Sequence, residues 1–305
     1  MKTDIVGIVG TGRMGKGIAE AVAAAGMRAR LVKCTAGDTA KVRDEIARSL
    51  SRAVERKKLD ARAAESALAN LECTSDRDAL GGCDLVVESV IEDLGIKQSL
   101  VADLEGRIPA TSVIATNTSS LRVSEVGARL RSPSRLLGVH FFSPVPAMKL
   151  VEIAPSQTTA PFAVERARDL VLRLGKTPVV VGDSSGYIVN RLLVPYLIDG
   201  MLALEAGLAS ADDIDRAMQL GCGHPMGPLA LADFIGLDVV YAMARTLYTN
   251  LRDRRYSPPG LLRRLVLAGH HGKKTGMGVF DYRSDPPREN AALRLIPEGE
   301  GVHSH

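Results

Sequence analysis

Residues 5–15 read IVGIVGTGRMG, a short apolar run followed by glycines at positions 10, 12 and 15. Residues 17–25 carry the small and apolar side chains of a helix that ends at Gly26, and residues 29–32 form a second apolar run. A Gly-x-Gly-x-x-Gly turn that follows a strand and opens a helix inside such a βαβ unit is typical of dinucleotide-binding folds. The stretch therefore predicts an α/β protein with a doubly wound, mostly parallel sheet.

Each glycine of this loop permits a contact that a side chain would block. Gly10 allows the tight turn, Gly12 lets the backbone approach a pyrophosphate, and Gly15 permits close packing of the helix. The helix N-terminus adds partial positive charge at the same place. We therefore predict a Rossmann-type cofactor site, and the alternative is a glycine-rich turn without a ligand. The predicted loop contacts are Gly10, Gly12, Arg13, Met14 and Gly15.

The residue at the end of the second strand normally decides which nicotinamide cofactor binds. An acidic side chain there accepts hydrogen bonds from the ribose 2′-hydroxyl and repels a 2′-phosphate. This chain has Lys33, which cannot accept those bonds but can pair with a phosphate, and Thr35 can donate a hydrogen bond to one. We therefore favour NADP(H) slightly over NAD(H) as the cofactor. In the alternative, Lys33 points into solvent and backbone groups hold the ribose.

The remainder of the chain suggests two domains. Residues 38–70 look helical with a break near 58–60, which predicts a helical hairpin protruding from the first domain. Further strands are expected at 84–88, 112–116, 136–140 and 178–181. We place the dinucleotide-binding domain at 1–182 and an all-α substrate and dimerisation domain at 183–282. The charged tail from 283 to 305 is expected to be mobile.

Composition excludes several classes of protein. Hydrophobic residues make up 46% and charged residues 24% of the 305 residues, and no apolar run is long enough for a membrane span. A net charge of +4 gives no support for nucleic-acid binding. The N-terminus leaves no room for a signal peptide, so a cytoplasmic protein is expected. Four scattered cysteines and six histidines without ligand spacing predict no metal site.

A second informative stretch is residues 138–153, GVHFFSPVPAMKLVEI. It carries His140 and Glu152 on two apolar, strand-like runs joined by a proline-rich turn, which can place a carboxylate behind an imidazole. Such a carboxylate fixes the tautomer that a general base needs. Ser119 follows another predicted strand, at the sheet edge where ligands bind in open α/β folds. Asn190 opens the helical domain, although helix capping would also explain both Ser119 and Asn190.

With these motifs in order, the chain resembles the L-3-hydroxyacyl-CoA dehydrogenases, and among them the bacterial 3-hydroxybutyryl-CoA dehydrogenases. The resemblance runs from about residue 4 to residue 282. It implies reversible hydride transfer between a short (S)-3-hydroxyacyl-CoA and NAD(P). Besides the opening loop, the matching stretches are residues 117–121, 140–152, 186–193, 221–228, 233–238 and 272–278.

The resemblance implies specific roles for the polar residues of these motifs. His140 is the general base or acid, Glu152 orients and polarises it, and Ser119 and Asn190 hold the oxygen atoms of the substrate. Contacts with the cofactor are implied for Ser119, Glu92, Lys97, Ser143 and Lys274, and contacts with coenzyme A for Ser49, Arg56 and Ser119.

Three of these positions depart from the family pattern. Lys33 replaces an aspartate, which puts NAD preference in question; Ser143 stands where asparagine is common; and Arg56 replaces a lysine. Serine at 143 can still donate or accept a hydrogen bond, so we interpret it as tolerated variation.

Alternatives to the acyl-CoA dehydrogenase remain open. The same chemistry could act on a hydroxyacyl group carried by an acyl carrier protein or on a free hydroxy acid, and a non-enzymatic nucleotide-binding structural protein is a second alternative. Basic residues 56–58 favour a substrate that carries a phosphopantetheine group, but they do not distinguish coenzyme A from an acyl carrier protein. The apolar side chains of 192–204 are too many for a small helical domain to bury alone, which, with the family resemblance, predicts a homodimer.

Overall fold

The computed structural model describes residues 4–35 and 37–293. The chain forms two compact units, the first ending at Tyr187 and the second beginning at Ile188. This division falls a few residues beyond the expected boundary at 182, because the intervening residues are held by the first unit. The Asp183 carboxylate accepts hydrogen bonds from the N–H groups of Val123 and Ser124, at 2.6 and 2.9 Å, and Tyr187 is buried in the core of that unit.

One eight-stranded sheet forms the centre of the first unit. Its strands are β1 Ile5–Val9, β2 Arg28–Val32, β3 Leu71–Thr74, β4 Leu85–Glu88, β5 Val113–Thr116, β6 Leu136–Phe141, β7 Leu150–Pro155 and β8 Thr177–Val180. They lie in the order β3-β2-β1-β4-β5-β6-β7-β8, and every pairing is parallel except β6 with β7. The predicted doubly wound, mostly parallel sheet is therefore confirmed.

Helices cover the sheet on both faces. They are α1 Arg13–Ala24, α2 Thr39–Glu55, α3 Ala61–Ala69, α4 Leu94–Arg107, α5 Val123–Val126 and α6 Pro161–Arg173. Alternation along β1 separates two cores, since Val6 and Ile8 pack into one and Val9 into the other. Both faces of a parallel sheet must be buried in this way, which is why the central strands β1, β4 and β5 are mostly apolar.

The helical hairpin predicted at 38–70 consists of α2 and α3. Asp38 and Asp60 cap their N-termini, accepting hydrogen bonds from the N–H groups of Ala40 and Ala63 at 2.7 Å each. Val42, Ile46 and Leu50 of α2 are buried in the same core as α1. The inner side of the hairpin is thus packed, and its outer side carries charged residues.

Strand β3 is absent from the sequence prediction. It is a short edge strand that pairs with β2, and of its four residues only Leu71 is buried. An edge strand with one buried apolar side chain carries little periodicity, so its position depends on backbone pairing with β2 rather than on pattern.

The second unit is mainly helical. Its helices are α7 Val189–Glu205, α8 Ala211–Cys222, α9 Pro228–Ile235, α10 Leu237–Leu251 and α11 Gly260–Leu267. The expectation that α7 cannot bury its apolar residues within this unit is wrong for Val194, Leu197, Met201 and Leu204, which are all buried against the other helices. Leu192, in contrast, is 70% exposed.

A two-stranded antiparallel ribbon follows the helices, with β9 Phe280–Asp281 paired to β10 Arg288–Glu289. Residues 288–290 of the tail that was expected to be mobile are paired with β9, and Asn290 is buried, while the mobility of the tail stays a prediction. Residues 294–305, which belong to the same expectation, lie outside the described residues. Within the described ranges, no helix is both long and apolar enough to cross a membrane.

A buried carboxylate fastens this ribbon to the helices. Asp233 is fully buried at the end of α9 and accepts hydrogen bonds from the N–H groups of Val279 and Phe280, at 3.0 and 2.9 Å. Burial raises the pKa of Asp233 to about 6, although these hydrogen bonds and one from Tyr282 pull the pKa down. The folded state therefore binds a proton at this site more tightly than the unfolded chain does.

We expect the pH dependence of stability to report this carboxyl group. Because the folded pKa is above the ordinary value of 3.8, its contribution to the free energy of unfolding is greatest below pH 3.8 and is lost as the pH rises through about 6. Relative to Asp233→Asn, which does not titrate, the wild type should lose about 2 kcal/mol between roughly pH 4.5 and 7.5. Urea unfolding of both proteins across that range measures the difference. A flat difference would show that Asp233 is ionised throughout.

Candidate active site

The turn between β1 and α1 has the backbone geometry of a phosphate-binding loop. Gly10 has φ +116°, and a Cβ there would lie 2.3 Å from the carbonyl oxygen of Ser89. A Cβ on Gly15 would lie 1.8 Å from the carbonyl oxygen of Gly10, so the helix can approach the turn only with glycine there. A Cβ on Gly12, in contrast, would meet no atom of the described residues within 4 Å.

The same turn leaves donors for an anion. Gly12 is the N-cap of α1 and has no side chain to accept hydrogen bonds from the first N–H groups of the helix. Open space above Gly12, with helix N–H groups behind it, fits the pyrophosphate of a dinucleotide. Arg13 is exposed beside the opening, whereas Met14 is half-buried and packs against the core.

At the end of β2 the side chains are basic and polar. Lys33 follows Val32 directly, its N–H donates to the carbonyl oxygen of Thr74, and its Nζ lies 2.7 Å from Thr35 Oγ1. Arg77, from the loop after β3, lies within hydrogen-bonding reach of the Cys34 thiol and is paired with Asp103 at 2.8 Å. Sequence reasoning did not identify Arg77, because its place beside β2 depends on the unpredicted strand β3.

His140 and Glu152 lie directly opposite each other on the antiparallel strands β6 and β7. His140 Nδ1 is 2.8 Å from Glu152 Oε2, and the two residues are 6% and 1% exposed. A carboxylate can only accept, so Nδ1 carries the proton and donates a hydrogen bond to Glu152. Nε2 is then the nitrogen with a free lone pair, as a general base requires.

Two rings pack against the imidazole of His140. The Phe142 ring centroid is 4.5 Å from the imidazole centroid and that of Tyr187 is 5.6 Å away, both tilted. The strand that carries His140 is also tied to β5, since Asn117 Oδ1 accepts a hydrogen bond from the N–H of Phe141 at 2.9 Å. Asn117 is therefore a supporting residue of the site.

Ser119 lies on a loop that Glu92 holds in place. Glu92 Oε1 accepts hydrogen bonds from the Thr118 hydroxyl at 2.6 Å, from the N–H groups of Ser119 and Ser120 at 2.9 and 3.0 Å, and from the Ser120 hydroxyl at 2.8 Å. Burial works to raise the pKa of Glu92, but the charge of Lys97 and these hydrogen bonds outweigh it and hold the pKa below its ordinary value. Glu92 is thus an ionised anchor for the Ser119 loop.

Lys97 occupies a different environment from the one the sequence implied. It is 1% exposed, and its Nζ lies 2.8 and 3.0 Å from the two carboxylate oxygens of Glu88 and 3.4 Å from Glu92 Oε2. The hydroxyl of Thr116 also donates to Glu88. Lys97 therefore holds both carboxylates beside the Ser119 loop, and its contact with the cofactor stays a prediction.

A cleft of about 1150 Å³ opens in the first unit between α1, the hairpin and the loop after β6. Ser143 lies on its rim, and both Ser49 and Arg56 line it. The hairpin contributes four cationic side chains to its wall: Arg48, Arg52, Arg56 and Lys58. A cleft with this charge fits an elongated ligand that carries phosphate groups.

Two buried side chains shape this cleft. Glu20 accepts a hydrogen bond from the Ser49 hydroxyl, and burial raises the pKa of Glu20, with that bond and the Arg52 charge offsetting part of the shift. Lys176 Nζ donates to the carbonyl oxygens of Val145 and Met148, at 2.6 and 2.7 Å. Lys176 therefore braces the loop that joins the His140 strand to the Glu152 strand.

The remaining candidates lie in the second unit. Asn190 is half-buried in the first turn of α7. Lys274 Nζ is 2.5 Å from Asp238 Oδ1 and remains 46% exposed. The Tyr196 hydroxyl is 2.8 Å from His224 Nδ1, which gives that histidine a structural partner. Across residues 4–35 and 37–293, no three His, Cys, Asp or Glu side chains are grouped to hold a metal ion.

Comparison with family models matches almost the whole chain. Residues 5–184 match the 3-hydroxyacyl-CoA dehydrogenase NAD binding domain, and residues 186–282 match the 3-hydroxyacyl-CoA dehydrogenase C-terminal domain. The boundary between the two matches in the sequence lies within a few residues of the boundary between the two units, at Tyr187 and Ile188. An NAD-binding domain agrees with the open glycine loop at the start of α1.

Individual relatives agree with these matches. The 3-hydroxybutyryl-CoA dehydrogenase of Mycobacterium tuberculosis is 40% identical over 279 residues, covering 91% of this chain and 98% of that protein. The crystal structure of M. tuberculosis FadB2 superimposes with a TM-score of 0.89 at 39% identity, covering 92% of this chain and all of that one. For (S)-3-hydroxybutyryl-CoA dehydrogenase PaaH1 from Ralstonia eutropha the TM-score is 0.87 at 39% identity, covering 92% and 99%.

The chain that carries the glycine loop, the paired histidine and glutamate and the cationic cleft thus matches both domains of one enzyme family over residues 5–184 and 186–282. The chain belongs to the 3-hydroxyacyl-CoA dehydrogenase family and is an NAD(P)-dependent oxidoreductase of that family.

Proposed function

We propose that this enzyme interconverts a short-chain (S)-3-hydroxyacyl-CoA, such as 3-hydroxybutyryl-CoA, and the corresponding 3-ketoacyl-CoA. The observation that carries the proposal is the buried His140–Glu152 pair, 2.8 Å apart, at the same sheet as the dinucleotide loop. The choice of a four-carbon acyl group follows the names of the relatives, which are 3-hydroxybutyryl-CoA dehydrogenases.

Proton transfer at the substrate hydroxyl is the task of His140. In the oxidising direction Nε2 takes the proton of the 3-hydroxyl as the C3–H bond breaks and the C3=O bond forms. A bound nicotinamide supplies the acceptor, or in reverse the donor, of the hydride. The imidazolium that results is stabilised by the Glu152 carboxylate at Nδ1. General acid–base assistance of this kind contributes about 10²- to 10⁴-fold in rate.

Substrate oxygen atoms need donors near His140. We assign one of these donors to Ser119, because Glu92 fixes its backbone and the residue is half-exposed at the carboxyl edge of β5. We assign the second donor to Asn190 of the second unit. Lys274 and Ser143 remain proposed contacts of the cofactor, and the Glu92 loop is proposed to set its position beside Ser119.

Coenzyme A is proposed to occupy the cationic cleft. Its phosphates would pair with the hairpin cations, Arg56 among them, and the Ser49 hydroxyl would donate to the ligand after leaving Glu20. The cleft volume of about 1150 Å³ and the four hairpin cations support a ligand that carries a phosphopantetheine arm.

Removal of the acid–base pair should abolish turnover while binding of the cofactor persists. We expect His140→Gln to lower kcat for reduction of acetoacetyl-CoA by at least about 10³-fold, because the amide cannot exchange the proton. Glu152→Gln should lose less, because the imidazole remains. Absorbance at the nicotinamide band measures turnover. Titration followed by the fluorescence of the reduced nicotinamide measures cofactor binding, which should be unchanged.

Two outcomes would contradict the assignment. Near-normal kcat in His140→Gln would remove His140 from the chemistry. Turnover of an acetoacetyl group on an acyl carrier protein, with none on acetoacetyl-CoA, would leave the proposed reaction in place. It would show that the carrier of the acyl group is a protein and not coenzyme A.

We further propose that the enzyme prefers NADP(H). Lys33 Nζ and Thr35 Oγ1 lie 2.7 Å apart at the end of β2, where a ribose-binding carboxylate would otherwise stand, and Arg77 reaches the same turn. An ammonium, a hydroxyl and a guanidinium group together favour a 2′-phosphate and offer the unphosphorylated ribose no carboxylate acceptor.

Replacing the ammonium by a carboxylate should reverse this preference. We expect Lys33→Asp to raise KM for NADPH at least about tenfold and to lower KM for NADH, through loss of one charge-assisted contact and gain of a ribose acceptor. The kcat with saturating NADH should be unchanged. Parallel kinetics with the two cofactors provide the measurement, with Arg168→Asp, at an exposed position of α6, as a matched charge control. Equal KM values for both cofactors in the wild type would reject the preference.

We also propose a homodimer formed through the second unit. Four large apolar side chains remain exposed there on α7, α8 and α9, in contrast to the buried residues of α7: Leu192 at 70%, Leu202 at 45%, Leu220 at 80% and Phe234 at 63%. Exposed apolar surface of this extent is typical of a protein–protein contact, and two-fold homodimers are the commonest assembly.

Sedimentation velocity tests the dimer. The wild type should sediment at about twice the monomer mass, and the double variant Leu192→Glu/Leu220→Glu should shift to monomer. Leu172→Glu, at an exposed leucine of α6 in the first unit, is the control and should leave the mass unchanged. A monomeric wild type at micromolar concentration would reject the proposal.

A further inference from the structure

Tyr187 combines two unfavourable features at one residue. Its backbone has φ +45°, a conformation that residues other than glycine rarely adopt, and its side chain is 4% exposed. Its hydroxyl has no hydrogen-bond partner among the described residues. A strained backbone and an unpaired buried hydroxyl at one position call for a physical explanation.

The hydroxyl of Tyr187 fills the space above a glycine of β6. A Cβ on Gly138 would lie 2.8 Å from that hydroxyl oxygen and 3.0 Å from the Cβ of Ala154. Gly138 lies opposite Ala154 in the antiparallel pair, just as His140 lies opposite Glu152 two residues further on. Residues two apart on a strand share a face, so the Tyr187 ring runs along this face from Gly138 to the imidazole of His140.

The hydrogen bond to Glu152 cannot orient the imidazole alone. A hydrogen bond tolerates a range of N···O distances and angles, so the side-chain torsions of His140 keep some freedom under that one contact. Packing narrows that remaining freedom, and the Tyr187 and Phe142 rings lie against the imidazole at 5.6 and 4.5 Å. The Tyr187 ring is itself seated at its far end, by the fit between its hydroxyl and Gly138.

We propose that Tyr187 is a positioning residue for the acid–base reaction: its ring sets the plane of the His140 imidazole, and Gly138 leaves the space that the ring and its hydroxyl need. The inference rests on the proposed role of His140. It also explains the strained backbone of Tyr187, the last residue of the first unit, because that conformation directs the ring toward His140. Burial and the surrounding carboxylates raise the pKa of Tyr187, so the group remains a neutral phenol.

A pair of substitutions separates positioning from mere core packing. Gly138→Ala inserts a methyl group where the hydroxyl sits and should push the ring against the imidazole, lowering kcat by about tenfold or more with KM for the cofactor unchanged, since misplacement of a reacting group by about 1 Å can cost about 10²-fold. Tyr187→Phe removes the hydroxyl, keeps the ring and should leave kcat within about threefold. In the double variant the methyl group takes the place of the hydroxyl, and kcat should recover most of its loss.

Two further variants complete the test. Tyr187→Leu deletes the ring and should lower kcat while cofactor KM is retained. Gly127→Ala is the matched control, because a Cβ there meets the Leu136 side chain at 2.7 Å, away from His140. It should lower the melting temperature as Gly138→Ala does, but leave kcat unchanged.

The results also separate this inference from the proposed function. Wild-type kcat in Tyr187→Leu, or a Gly138→Ala loss that is equally large when combined with Tyr187→Phe, would overturn the positioning role. Imidazole ¹⁵N spectra provide a readout that does not need turnover: the His140 signals should change in Gly138→Ala and return in the double variant. If they return but no 3-ketoacyl-CoA is reduced by the wild type, the positioning role stands and the proposed substrate is wrong.

Discussion

The hydrogen bond between His140 and Glu152 is the constraint on which the rest of the site depends. Both side chains are almost fully buried, so neither could stand there without the other. Their meeting follows from register, because β6 and β7 are the one antiparallel pair among the described strands of the large sheet and place the two residues directly opposite. A slip of one residue would turn Glu152 to the opposite face and leave the imidazole against an apolar side chain.

Much of the first unit preserves that register or the loops beside it. Lys176 braces the turn between the two strands, Asn117 ties β6 to β5, and Glu92 holds the Ser119 loop. Glu88 and Lys97 add a buried ion pair beneath that loop. A buried ion pair contributes little net stability, because desolvation consumes most of the attraction, but breaking one is costly. Such contacts are therefore better understood as fixing one loop conformation than as strengthening the fold.

Local patterns made the glycine loop, the helical hairpin and most strands readable from the sequence, because each depends on residues close in the chain. The histidine and glutamate were also readable, since two apolar runs joined by a short turn can hardly avoid pairing. Features that depend on distant partners were not: β3 exists through its pairing with β2, and Arg77 is placed by β3. Burial of Leu197 and its neighbours on α7 likewise depends on helices far away in sequence.

Cofactor choice and chemistry are physically separable in this architecture. Lys33 ends β2 and His140 lies on β6, and the order β2-β1-β4-β5-β6 puts four strand spacings, or about 19 Å, between those strands. That distance exceeds the Debye length of about 8 Å at physiological ionic strength, so a charge at the exposed end of β2 is screened from the imidazole. A lysine in place of an aspartate can therefore change which dinucleotide binds while the buried pair keeps its geometry and its proton. Lys33 is half-buried and Ser143 is exposed, so neither departure from the family pattern requires the closely packed core to rearrange.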